Sequence, residues 1–68
     1  MAKKVVYWFT IGWGADEDYE LSLPRYTYKD TLESVKYYLK KYKKRGAYFI
    51  CASRGEEDIT DQIEQELK

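Results

Sequence analysis

From Val5 the chain alternates Val5, Tyr7, Phe9, Ile11 and Trp13 with Val6, Trp8, Thr10 and Gly12. A period of two in β-forming residues predicts a strand, and apolar groups on both sides of its first half predict a central one. The segment "GWGADED" reads as a turn, with glycines and aspartates suited to it. "YELSL" then sets Tyr19, Leu21 and Leu23 against Glu20 and Ser22, a one-sided edge strand that Pro24 is expected to end.

The period then changes. In "TYKDTLESVKYYLKKYKKRG", Leu32, Val35, Leu39 and Tyr42 recur every three or four residues, and Tyr28 extends the stripe backward. This predicts an amphipathic helix started by Thr27 with Asp30, or by Asp30 with Glu33. Gly46 is placed to end it. "AYFICAS" predicts a third, buried strand broken at Gly55. "EEDITDQIEQELK" predicts a short final helix held by Ile59, Ile63 and Leu67. The expected fold is α+β, in the order ββαβα, over one domain spanning 1–68. Its sheet has three antiparallel strands in the order 2-1-3, with the main helix packed on one face.

Composition narrows the function more than it defines it. With 68 residues, no histidine and a single cysteine, the chain lacks the usual zinc ligands and every histidine-based catalytic arrangement. No cofactor, no metal site and no enzymatic activity are expected. Cys51 lies in an apolar strand, where free cysteine usually serves as a small buried hydrophobe. One unpaired cysteine fits a reducing, cytoplasmic setting. No apolar run reaches the roughly 18–20 residues needed to cross a bilayer. The start carries two lysines before apolar residues, but strand-like alternation and no small-residue cleavage site follow, so no leader is expected.

Formal net charge is zero but unevenly spread: −1 over residues 1–28, +6 over 29–54 and −5 over 55–68. The basic middle and acidic tail can neutralise each other within the molecule or form two separate faces. Asp16, Glu17 and Asp18 cluster at the first turn without EF-hand spacing, so a solvated acidic patch able to meet a basic partner is expected there. "KYYLKKYKKRG" interleaves tyrosines with cations. On a helical wheel Tyr37 falls opposite the apolar stripe beside Lys41 and Lys44. The ordinary account of that face is a solvated lysine surface. The functional one is a single-stranded nucleic-acid site using Lys36, Lys40, Lys41, Lys44 and Arg45.

Trp8 poses the sharpest question. If Tyr7, Phe9 and Ile11 face the helix, Trp8 and Val6 face the other way. Either Tyr48 and Ile50 or Phe49 and Cys51 join them from the third strand. The last helix covers this face and buries Trp8, or the face stays bare and marks a partner or self-association site. The expected function is a small non-enzymatic binding protein of inhibitor or adaptor type. It docks an aromatic sheet face or charged edge, through Trp8, Tyr37, Tyr48, Asp16, Glu17 and Asp18, on a protein partner or on a second copy of itself.

The stretch "YELSLPRYTYKDTLESVKYYLKKY" followed by "GAYFI" resembles, in pattern over the first fifty-odd residues, the small phage inhibitors of bacterial RNA polymerase. The resemblance implies a compact ββαβ protein that works by occluding a surface, and it places that family's functional arginines near Arg54. It is an analogy of fold, not of site.

Overall fold

The computed structural model describes residues 5–14 and 19–68. Strand β1 spans Tyr7–Trp13 and β2 spans Tyr19–Arg25. Helix α1 (Tyr28–Lys41) runs into a short 3₁₀ turn at Lys43–Arg45. Strand β3 (Tyr48–Arg54), a two-residue strand β4 (Glu57–Asp58) and helix α2 (Thr60–Leu67) complete the chain.

The sheet is antiparallel with order β2-β1-β3-β4, so the most apolar strand lies inside it, as its two-sided pattern predicts. The expected three-strand sheet is corrected by β4. Arg54 pairs with Glu57 and Ser53 with Asp58. Gly55 and Glu56 make the turn between them, with Gly55 at φ 58°, a conformation glycine adopts without steric cost. The acidic residues read as the first turn of the last helix therefore make a hairpin instead. Pro24 does not end β2, which continues through it to Arg25. The strand is at the sheet's edge, where a residue without an N–H is tolerated.

Helix α1 begins as its sequence predicts. The Thr27 hydroxyl oxygen accepts from the Asp30 N–H at 3.0 Å, satisfying one of the donors left free at a helix start. The helix ends at Lys41, before the expected Gly46, with Tyr42 as its cap; Gly46, at φ 78°, instead closes the 3₁₀ turn and donates its N–H to the Lys43 carbonyl. Val35 is buried on the inward stripe, with Leu32, Leu39 and Tyr42 packed beside it. Thr31 is also fully buried. Its hydroxyl donates to the Thr27 carbonyl at 2.7 Å, which makes the polar group tolerable in the core.

The core joins Phe9 and Ile11 of β1, Val35 of α1, Ala52 of β3, and Ile59 and Ile63 at the start and middle of α2. Both helices thus cover the same face of the sheet. Nothing in the sequence order alone dictates this, and it decides the fate of Trp8. The register of β1 against β3 shifts between Thr10 and Ile11: Thr10 faces Cys51, but Ile11 faces Phe49. Ile50 is the extra residue of a β-bulge, which lets Phe49 and Ala52 both turn toward the helices. Tyr48 and Ile50 therefore both join the Trp8 face, and Cys51 joins them without Phe49, because the alternation breaks in mid-strand.

Candidate functional site

The side chains of β1 split as expected. Phe9 and Ile11 point into the core, whereas Trp8 lies on the opposite face and is 44% exposed. Trp8 sits between Pro24 of β2 and Ser53 of β3, and Thr10 between Ser22 and Cys51. The Thr10 hydroxyl donates to the Ser22 hydroxyl at 3.2 Å. The middle of this face is therefore small and polar, with an aromatic residue toward each end.

Tyr48 is the second aromatic, 46% exposed. It faces Gly12 across the strands. A Cβ added at Gly12 would come within 2.8 Å of the Tyr48 ring and 3.1 Å of Ile50. The absent side chain at Gly12 is what lets the ring lie down on the sheet and Ile50 settle beside it. Cys51 is exposed on this face, which corrects the expectation of a buried structural cysteine. The bulge is the reason, since it carries Cys51 to the uncovered side next to Ile50.

Beside Trp8 the face deepens into a groove of about 330 Å³ lined by Thr10, Cys51, Ser53, Glu56, Asp58 and Thr60, among others. Asp58 has a structural job there. Its Oδ1 accepts from the Thr60 hydroxyl at 2.5 Å and from the Thr60 N–H at 2.9 Å. These two bonds, the hydroxyl first, hold its carboxyl below the usual carboxylate range. The Thr60 hydroxyl oxygen in turn accepts from the Ala52 N–H at 3.2 Å. The Ile59 N–H donates to the Ala52 carbonyl. Thr60 and Ile59 thus continue the edge of the sheet where β4 stops. Sequence reasoning missed Glu56, Asp58 and Thr60; the Gly55 turn signal, read as a hairpin rather than a strand end, is the clue that was present.

The remaining site residues do not join Trp8 and Tyr48. Tyr37, 58% exposed, projects from α1, which covers the other face of the sheet. It gathers with Lys40 and with Lys41, whose Nζ lies 5.8 Å from its ring centre, while Lys36 is exposed on the same helix and Lys44 and Arg45 are exposed on the 3₁₀ turn beyond it. Asp16, Glu17 and Asp18 lie outside the described residues. Arg54 is exposed, with its guanidinium 5.9 Å from the Tyr7 ring centre.

The second tryptophan has a different role from Trp8. Trp13 stacks on Tyr42 at 4.3 Å between ring centres, and on Tyr19 at 6.0 Å. It closes the end of the core nearest the 3₁₀ turn, an arrangement that adds to its area burial. Among the described residues no cluster of histidine, cysteine and carboxylates can hold a metal ion. No described helix is long and apolar enough to cross a membrane. Compared with family models, characterised proteins and solved structures, the chain matches none.

Proposed function

We propose that the protein is a small non-enzymatic binding module that docks the uncovered face of its sheet on a partner protein. The exposure of Trp8 on a face that neither helix covers carries this reading. A half-exposed tryptophan flanked by Pro24, Thr10 and Ser53 offers a large apolar anchor in a small-residue setting, as interface hot spots do. Tyr48 and Ile50 extend the contact along the sheet.

The groove chemistry narrows the partner. Glu56 and Asp58 border the same depression as Trp8. A ring face beside two carboxylates suits a partner segment that offers a lysine or arginine next to an apolar side chain. The cation then meets the indole and the acids together. This role for acidic steering falls to Glu56 and Asp58, residues on the described face.

Selection from a random peptide library on the immobilised protein tests the reading. Enriched peptides carry a basic residue beside an apolar one, and they lose affinity for Trp8→Ala and Tyr48→Ala proteins that keep the parent far-UV circular dichroism. Peptides that bind Trp8→Ala as well as the parent, or a Trp8→Ala chain that does not fold, contradict it.

A further inference from the structure

We propose that the outer face of α1 and its 3₁₀ extension is a second, independent interface that takes single-stranded nucleic acid. Between Lys36 and Arg45 the chain carries six cations and no acid. All six are exposed. Among the described residues no carboxylate forms an ion pair with any of them.

Helix electrostatics account for only part of the cluster. Cations are favoured in the last turn of a helix, and Lys40 and Lys41 sit there. The benefit fades beyond that turn. Lys36 lies outside it, and Lys36 and Lys40 are like charges four residues apart in α1, which is unfavourable in an isolated helix. A bound polyanion relieves that repulsion.

Aromatic surface accompanies the charge at both ends. Tyr37 is exposed on the same face, with its ring packed edge-on against Tyr38 at 5.0 Å and the Lys41 ammonium nearby. It borders a shallow depression shared with Lys40 and Lys41. At the other end Lys44 and Arg45 line a hollow of about 510 Å³ with Trp13 and Tyr19, whose rings are stacked on each other, so Tyr37 is the ring argued to meet a base. Lysine serves phosphate as a point charge, and flat rings stack bases without regard to sequence. An acidic peptide has use for the lysines but none for the rings, which is why nucleic acid is the occupant argued for.

Lys36 and Lys41 are five residues apart in α1, about 7.5 Å along its axis, and Lys43, Lys44 and Arg45 continue the run on the 3₁₀ turn. The run of six cations offers an unpaired strand about three or four phosphate contacts. With a slope near −0.7 per phosphate for single strands, affinity should fall about 20- to 50-fold between 50 and 200 mM salt.

The test is fluorescence anisotropy of labelled oligo-dT and oligo-U across that salt range. Four controls accompany it: Tyr37→Ala, the triple variant Lys36→Gln/Lys40→Gln/Lys44→Gln, Trp8→Ala, and competition by heparin, polyglutamate and anionic lipid vesicles. Binding with the stated salt dependence is expected. The triple variant should flatten that dependence, and Tyr37→Ala should weaken binding about fivefold to hundredfold. Trp8→Ala should leave it unchanged, which keeps this interface separate from the sheet face. No binding at 50 mM salt overturns the proposal. So does Tyr37→Ala binding like the parent, or polyglutamate or vesicles competing as well as the oligonucleotides, because each would mark a surface that reads charge alone.

Discussion

Trp8 and Phe9 are chain neighbours on opposite faces of β1, and truncating each should have very different consequences. Phe9 is fully buried, and phenylalanine-to-alanine changes in cores cost about 3–5 kcal/mol through lost transfer energy and the cavity left behind. Trp8 is 44% exposed. A tryptophan can bury about 150–250 Å², so roughly 110 Å² is covered here, worth about 2.8 kcal/mol at 25 cal/mol per Å². Compactness of the unfolded chain and the retained Cβ reduce this to about 2 kcal/mol, and a site open to water leaves no enclosed cavity. Stability of a 68-residue domain runs to about 3–10 kcal/mol. Trp8→Ala should therefore stay folded at 25 °C, with its urea midpoint lowered by about 1–2 M for an m value near 1–2 kcal/mol/M. Phe9→Ala should lower the midpoint by roughly twice as much, about 2–4 M, and at the low end of that stability range leave the chain unfolded without urea. Far-UV circular dichroism in urea reads both, and is insensitive to the loss of an indole fluorophore. A Trp8→Ala protein as damaged as Phe9→Ala would refute the placement of Trp8 on an uncovered face.

Three further outcomes follow from the same geometry. Thr27→Ala removes the acceptor of the Asp30 N–H and should cost about 1 kcal/mol, read as a lower urea midpoint, whereas Thr27→Asp should restore most of it. Asp58 has its folded carboxyl held below its ordinary value by Thr60. Its contribution is complete above the unfolded pKa near 4 and is lost as pH falls through the lower folded value. Asp58→Asn should therefore make the acid limb of a stability-versus-pH curve shallower, and an unchanged limb would refute this role. Gly12→Ala forces the exposed Tyr48 ring to swing away. Because that ring is the end of a flexible side chain, stability should change by less than about 1 kcal/mol, while binding at the sheet face weakens.

The segments that were legible in sequence are those governed by local periodicity and local chemistry. The central strand, the Thr27 cap and the Val35 stripe follow from spacing and from the needs of a helix start, and Gly46 ends the 3₁₀ turn rather than α1 itself. What sequence did not reveal depends on contacts between distant segments. The face chosen by α2 is fixed by Ile59 and Ile63 meeting Phe9, Ile11 and Ala52, and the same apolar triplet would have suited the Trp8 side. In "YFICAS" both faces are apolar, so no alternation betrays the bulge that exposes Cys51. The two residues of β4 carry no strand pattern, and their pairing depends on the Gly55 turn. Periodicity put Tyr37 on an outer helix face but left the exposure of Trp8 and of Tyr48 open. Their division between two faces of the molecule became visible only once the helices were placed.

The central claim is that among the described residues neither helix covers one face of the sheet, and Trp8 reports on it directly. Acrylamide quenching of a Trp13→Phe variant, which leaves Trp8 as the sole indole, measures it in the isolated protein. The account predicts red-shifted emission and ready quenching at low concentration. Blue-shifted emission that resists quenching under those conditions would contradict it.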